Sequence, residues 1–477
     1  MIFCLYCKFV QMIVMVYVKP HTNHSSDACL RLMKNADYVL LHFTDMLGYL
    51  KGRTIAAEEA ENALEGGVTF DGSSMIGGAH IEDSDMIMKP DPTTFTVFPY
   101  YFYEKGVASF ICDIKRPDGK QFENDPRHVL RKNMEKISAE GYEPTAAAEV
   151  EFYLVQRNEN GEINPVENHL IDKQRYFDNA PGRDLTEAYR MDLSSTLATM
   201  GIMVERQHHE VGSAQNEITF KYSNPLATAD NVMRYKFAAK AVADKKHGWT
   251  ATFMPKPWFG KAGSGMHVHL GLFDPVTGKN TFHDPKGYAY VSQRCRYFIG
   301  GILEHARAIC AITAPTVNSY KRLVPGYEAP VYIAWSKRNR SALVRIPAFA
   351  PENAKEARIE LRCPDPLCNP YLSYAAIFEA GLEGIRKKID PGDPVDVNIY
   401  HLTEPERRQL SMRVLPGSLK EALEEWKNDE VCVRALGREL AEKYVNLKMG
   451  EWQEYESGAL GDKTKVTEWE IQKYLYA

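Results

Sequence analysis

The sequence predicts an α+β protein of two domains preceded by a short extension. Three observations carry this expectation. The 477 residues exceed the ~150 expected of one domain. Hydrophobic residues at 44% and charged residues at 25% are ordinary globular composition and exclude a disordered or fibrous chain. Strand-like and helix-like segments alternate without the strict rhythm of βαβ units, so the class is α+β rather than doubly wound.

Residues 1–18 are mostly apolar, but Lys8 and Gln11 interrupt them, and the run falls short of the ~20 apolar residues of a spanning helix. It has neither the basic start nor the small-residue cleavage site of a signal peptide. Residues 1–32 are therefore expected to lie outside the fold, with Met12, Met15 or Met33 as alternative starts. Residues 37–44 (DYVLLHFT) read as a buried strand, 45–48 as a turn into a second strand through 53–55, and 58–64 as a helix. A Gly/Ser-rich loop at 70–74 precedes short strands up to Asp113. Asp125-Pro126-Arg127 opens a long helix towards Gly141, with Asp as N-cap and Pro in the first turn. The boundary between the domains, 33–122 and 123–477, is placed near residue 122. Residues 418–444 and 466–476 have the pattern of amphipathic helices. There is no internal repeat, no low-complexity tract and no linker rich enough in Pro or Ser to free a domain.

Lys plus Arg number 58 against 63 Asp plus Glu, a formal net charge of −5. Proteins that grip nucleic acid by counterion release carry a basic excess instead. Nine thinly spread cysteines fit a reduced, cytoplasmic protein rather than a disulfide-stapled one. Cys4 and Cys7 form a lone CxxC without the second pair that a zinc site needs.

Four segments place chemistry-bearing residues two apart, so that on a strand they share a face: Glu149 and Glu151, His208 and Glu210, His267 and His269, and Arg358, Glu360 and Arg362. Each pair alone also fits the solvated face of an antiparallel sheet. Together they are metal- and phosphate-type residues rather than surface filler. Two carboxylates ~4 Å apart repel by about 4 kcal/mol at an effective dielectric of 20, so several in one cavity call for divalent cations. Oxygen donors with an imidazole point to magnesium or manganese. Arg322, Arg338, Arg340 and Arg345 join Arg358 and Arg362 in a second cluster, suited to phosphate and carboxylate oxygens; a surface ion-pair network is the alternative for any one of them. Carboxylates with metals beside arginines make a site for phosphoryl transfer. The glycine loop at 260–265 lets backbone approach a ligand closely, and it is neither a P-loop nor a dinucleotide fingerprint. A Pro-bracketed loop at 325–330 carries Glu328 at its tip and reads as a positioned flap, or as a plain surface loop.

These residues lie in motifs that resemble type I glutamine synthetases from about residue 36 to the C-terminus. The stretches are FDGSS from Phe70, EVEFYLV from Glu149, HHEVGSAQNE from His208, TFMPKP from Thr252, GSGMHVH from Gly263, NSYKRLVPGYEAP from Asn318, NRSALVRIP from Asn339 and IELRCPDPLCNPYL from Ile359. So many long motifs in order leave chance similarity no room. The resemblance implies a ligase that joins ammonia to the γ-carboxylate of L-glutamate through γ-glutamyl phosphate, giving glutamine, ADP and phosphate. It implies a small β-grasp-like domain and a larger α+β catalytic domain with an antiparallel sheet lining the active site. It further implies two or more Mg2+ or Mn2+ per site, ATP as co-substrate, and a cytoplasmic homododecamer of two hexameric rings, without nucleic-acid or membrane partners. One metal would be held by Glu151, Glu210 and Glu217, the other by Glu149, His267 and Glu360. ATP would lie against Glu205, Tyr222, His269, Arg340, Arg345, Lys355 and Arg358. Glutamate would be held by Arg322, Arg362 and the backbone at Gly263. Asp71, Ser74, Tyr176 and Glu328 would form the ammonium pocket, Asp71 reaching in from a neighbouring subunit as the proton acceptor and Glu328 closing over the acyl phosphate. Arg340 would act on the transferred phosphoryl group.

Three positions depart from the family pattern: Ala262 stands for an Asn, Gly271 for a Ser and Ala214 for a Gly. None is a proposed metal ligand. A related ligase using a polyamine or another amine is the nearest alternative, followed by a catalytically silent relative and a guanidino kinase. Intact Asp71, Ser74 and Glu328 argue for ammonia, the complete ligand set against silence, and the motif order against the kinase. Tyr400 occupies the place of a modifiable tyrosine in regulated members, but its flanks differ, and a structural role is the expectation.

Overall fold

The structure is a computed structural model that describes residues 25–79, 81–166, 177, 182–326, 329–410 and 412–477. Cys4, Cys7, Met12, Met15, Tyr176 and Glu328 lie outside the described residues.

The chain enters through α1 (Ser26–Leu32), capped by the Ser25 side chain, which accepts from the Ala28 N–H. This helix buries Cys29 completely, in one cluster with Met33, Leu41 and Phe110. That corrects the expected extension: residues 26–32 belong to the small domain, because the face carrying Cys29 is covered by its core. β1 (Tyr38–Thr44), β2 (Leu50–Ala56), α2 (Ala60–Gly66), β3 (Val68–Asp71), β4 (Asp85–Pro90), β5 (Thr96–Val97) and β6 (Val107–Lys115) follow. Among the described residues they form a six-stranded sheet in the order β2-β1-β6-β4-β3, with β5 on β6. β1 runs parallel to β6 and the other pairs are antiparallel. Phe70 and Asp71 close β3 instead of lying in the loop, and Gly72–Ser74 makes a single tight helical turn.

The large domain opens with α3 (Pro126–Ala139), where the Asp125 side chain accepts from the Arg127 N–H at 3.1 Å. Its sheet comprises β7 (Glu143–Arg157), β8 (Ile163–Pro165), β9 (Val204–His209), β10 (Gln215–Phe220), β11 (Thr250–Thr252), β12 (Met266–Phe273), β13 (Trp335–Lys337), β14 (Val344–Ile346) and β15 (Ile359–Leu361). The order is β13-β14-β15-β12-β7-β10-β9, with β8 and β11 also on β7. Only β13 and β14 pair in parallel among these. Helices Glu187–Thr199, Pro225–Val242 and Pro370–Lys387 belong to the same continuous core as the sheet. Apolar side chains such as Val150, Phe152 and Ile218 fill one face, which leaves the alternate positions for chemistry.

Two devices join the domains. Arg127, nearly buried, pairs with Asp91 and Asp113 of the small domain and with Asp230 of the large one, and the Tyr371 hydroxyl donates to Asp230 at 2.8 Å. The turn after β1 docks on the start of helix Pro370–Lys387, where the Asn369 amide donates to the Asp45 and Met46 carbonyls at 3.0 and 3.2 Å. Gly48 in that turn has φ +87, and a Cβ there would sit 3.1 Å from the Asn369 Cα, so the close approach needs glycine. Among the described residues no helix is long and apolar enough to cross a membrane.

Candidate active site

Register builds the site. Across antiparallel neighbours Glu149 faces His267 and Glu151 faces Glu217. Glu217 faces His208, and His269 faces Glu360, which faces Arg345. Directly opposed residues point to the same side of a sheet. The two-residue spacings of the sequence therefore become one polar floor crossing β14, β15, β12, β7, β10 and β9.

The floor lies in and beneath a cavity of about 670 Å³. Two groups have donor atoms all within 4.8 Å of one another: Glu149, His267 and Glu360, and His208, Glu210 and Glu217. In the first, His267 Nδ1 is 3.3 Å from Glu149 and 3.8 Å from Glu360. In the second, His208 Nδ1 is 3.4 Å from Glu210 and its Nε2 3.5 Å from Glu217. Glu151 lies between them. One of its oxygens accepts from the Gly265 N–H at 2.8 Å and the Gln215 amide at 3.2 Å, and the other is 4.0 Å from His267 Nε2. The second group thus contains His208 where the family pattern implies Glu151.

Charge makes this donor set fit divalent cations. Burial, then the neighbouring Glu149, Glu151 and Glu360, raises the Glu217 carboxyl well above its ordinary range, and burial pushes Glu151 to about 7. Burial, with Arg362 beside it, lowers His267 to about 4, leaving a neutral imidazole free to ligate. Carboxylates that resist ionisation together, beside neutral imidazole, suit an added positive charge, and their oxygen-rich chemistry suits magnesium or manganese.

Guanidiniums form the rest of the wall. Glu360, wholly buried, pairs with Arg345 and Arg362. Arg358 Nε donates to His269 Nδ1 at 3.3 Å, and the other imidazole nitrogen of His269 is 2.9 Å from Glu149. Arg322 is anchored by donating to the Cys363 and Arg362 carbonyls at 2.8 and 3.0 Å. The glycine loop closes over it. A Cβ at Gly265 would fall 2.5 Å from Arg322 Nη2, and one at Gly263 would fall 2.8 Å from Arg322 Cγ. Ala262 does not loosen the loop, because the Tyr153 hydroxyl donates to its carbonyl at 2.9 Å and Lys256 donates to the Lys261 carbonyl at 2.5 Å. Gly271 sits opposite Thr145, and a Cβ there would meet the Thr145 hydroxyl at 2.8 Å.

The cavity lining thus brings together Glu149, Glu151, Glu210, Glu217, Gly263, His267, His269, Arg322, Arg340, Arg345, Arg358 and Arg362, over the buried Glu360. It does not include Glu205, Tyr222 or Lys355; Tyr222 is 58% exposed. Nor does it include Arg338, which the sequence grouped with the other arginines but which lies outside this cavity. Asp71 and Ser74 also lie outside the lining of this one chain. There the Ser73 and Ser74 hydroxyls donate to the Asp71 carboxylate at 2.6 and 2.8 Å and hold it below its usual range. The Tyr400 hydroxyl donates to the Ala329 carbonyl at 2.7 Å. Sequence reasoning passed over Arg206, Gln215 and Lys261, which line the cavity. Arg206 was accessible to it, being two residues before His208 on the same strand face. Gln215 was not, since its bonds to Glu151 and to the Gly263 carbonyl, the latter at 3.0 Å, depend on register.

An oxygen-rich floor under a wall of arginines belongs to an enzyme that binds metals and transfers phosphoryl groups. The family model for the glutamine synthetase catalytic domain matches residues 123–474, and that for the glutamine synthetase β-grasp domain matches residues 35–117. Glutamine synthetase of Thermotoga maritima is 48% identical over 443 residues, 93% of this chain and 97% of that one. Glutamine synthetase of Methanosarcina mazei is 45% identical over 463 residues, 97% and 99%. A solved structure described as a GmaS/ADP complex superposes with TM-score 0.80 at 29% identity, covering 96% of this chain and 100% of that one. The chain belongs to the glutamine synthetase family, whose members are ligases that use ATP and divalent metals.

Proposed function

We propose that this protein makes L-glutamine from L-glutamate, ammonia and ATP, through γ-glutamyl phosphate. The observation that carries the reading is the shared floor of Glu149, His267, Glu360, His208, Glu210 and Glu217 beneath Arg340, Arg345 and Arg358, in a chain of this family. Glu149, His267 and Glu360 would hold one divalent ion, and Glu210 and Glu217, with Glu151 or His208, the other. When bound, the ions supply positive charge to the phosphate oxygens and bring the carboxylates of the floor to their ionised form.

The chain's own residues account for the rest. Arg340, Arg345 and Arg358 orient the γ-phosphate and take up charge as the β–γ bridging P–O bond breaks. Arg322 and Arg362, with the Gly263 backbone, hold glutamate so that its side-chain carboxylate attacks phosphorus, forming the acyl phosphate and releasing ADP. Ammonium binds near Asp71 and Ser74 of a neighbouring copy, with Tyr176 and Glu328. Asp71, kept ionised by its serine hydrogen bonds, takes the proton. The free amine attacks the acyl carbon, and the C–O bond to phosphate breaks. Closure by Glu328 keeps water from the acyl phosphate. This reading includes Glu205, Tyr222 and Lys355 as nucleotide contacts, two metals of the Mg2+ or Mn2+ type, a dodecamer of two hexameric rings and a cytoplasmic location. Glutamate labelled with 18O in its side-chain carboxylate tests the route: one labelled oxygen appears in inorganic phosphate if the acyl phosphate forms, and none if it does not.

A further inference from the structure

Beside the catalytic cavity lies a second one of about 420 Å³, whose lining includes Lys337, Arg338, Asn339, Arg340, Ser341 and Asp396. Arg340 lines both. The frame of the outer cavity is tied down. The Asn339 amide donates to the Val395 and Val397 carbonyls at 2.9 and 2.8 Å, and its oxygen accepts from the Ser341 N–H and hydroxyl at 3.0 and 2.7 Å. Asp396 accepts from the Tyr288 and Ser336 hydroxyls and lies 3.6 Å from Lys337.

Two side chains are left over. Among the described residues neither the Arg338 nor the Arg340 guanidinium has a hydrogen-bond or ion-pair partner. Arg338 also holds φ +60, a left-handed conformation unfavourable to a side chain of its size, with its N–H fixed on the Ile346 carbonyl at 3.0 Å. A tied-down polar frame lined by two unspent guanidinium forks, two residues apart in sequence, offers both charge and paired donors to a small anion with several oxygens.

We propose that Arg338 and Arg340 form an outer subsite for a phosphate dianion, which shares Arg340 with the catalytic cavity. Phosphate held there competes with the reacting anions for that one guanidinium. The ligand is either the inorganic phosphate that the proposed ligase reaction releases or a phosphate monoester from solution. Only the activity readout rests on the ligase reading; binding does not.

Equilibrium dialysis of the full chain against labelled inorganic phosphate, and separately against ribose 5-phosphate, tests this. Arg338 is exposed and unpaired, so Arg338→Gln leaves the fold alone. It should weaken one phosphate-binding equivalent per chain by about tenfold, with Arg338→Lys intermediate because it keeps the charge and loses the fork. Arg338→Gln should leave kcat and the KM for ATP within about twofold at low phosphate, and it should raise the inhibition constant of phosphate several-fold. Equal dependence on Arg338 for ribose 5-phosphate assigns the subsite to phosphate monoesters, and dependence for inorganic phosphate alone assigns it to the product. Isotherms that superpose for wild type and Arg338→Gln with both ligands would overturn the proposal. So would a large change in the KM for ATP, which would place Arg338 in the catalytic cavity. An enzyme without turnover would defeat the ligase reading and leave the isotherms to decide this one.

Discussion

Glu360 is a carboxylate kept ionised where no water reaches it. Burial alone would protonate it; Arg362 first, then His269, His267 and Arg345, hold it at about 2. Glu360→Gln leaves two guanidiniums facing a neutral amide and should lower stability by about 3–5 kcal/mol. Calorimetric titration with Mn2+ should show one of two ions lost. Ala214 is strained in the opposite sense. It stands where the family usually has glycine, at φ +58 and fully buried. A Cβ in the left-handed region costs about 1–2 kcal/mol, partly offset by the freedom glycine adds to the unfolded chain. Ala214→Gly should therefore raise the unfolding free energy by about 0.5–1 kcal/mol, read as a higher Tm with kcat unchanged. At this scale much of the site was legible in the sequence. The pairs Glu149 with Glu151 and His267 with His269 follow from a period of two on strands. His208 was legible as a partner of Glu210, but not as one of Glu217, because what brings those two together is pairing between β9 and β10, which no spacing within one segment encodes.

At the scale of elements, the turn after β1 carries a titration. Asp45 accepts from the Leu47 and Tyr49 N–H groups at 3.0 Å each and is completely buried. Burial raises its carboxyl from 3.8 to about 6, against those bonds and Lys51. A carboxyl raised on folding contributes stability that is complete below the unfolded value and is lost as pH rises through the folded one. Unfolding free energy should therefore decline between about pH 4 and pH 6 through this residue. Asp45→Asn should flatten that span and gain on the order of 2 kcal/mol at pH 7, measured by urea unfolding across pH. The strand read at 37–44 and the helix after Asp125 recur as β1 and α3, whereas the stretch expected to end at 444 breaks into three helices, the last running to Gly458. The packing of α1 was not legible, since a seven-residue helix with one buried cysteine carries too short a periodic pattern to stand out from the polar residues before it.

In the whole molecule, Asp71 lies off the cavity lining of its own chain, in keeping with the proposal that it serves the site of a neighbouring copy. A cyclic assembly then allows complementation. Asp71→Asn and Glu360→Gln chains, each inactive alone, should recover activity when refolded together, with about a quarter of sites intact on random mixing. No recovery from mixed assemblies would place Asp71 in its own chain's site. The decisive measurement for the ligase reading is phosphate release from ATP by the full chain with glutamate and magnesium, comparing ammonium with putrescine. Release should depend on ammonium, with glutamine formed in step with phosphate. Turnover only with putrescine, or none with either amine from folded protein, would contradict it.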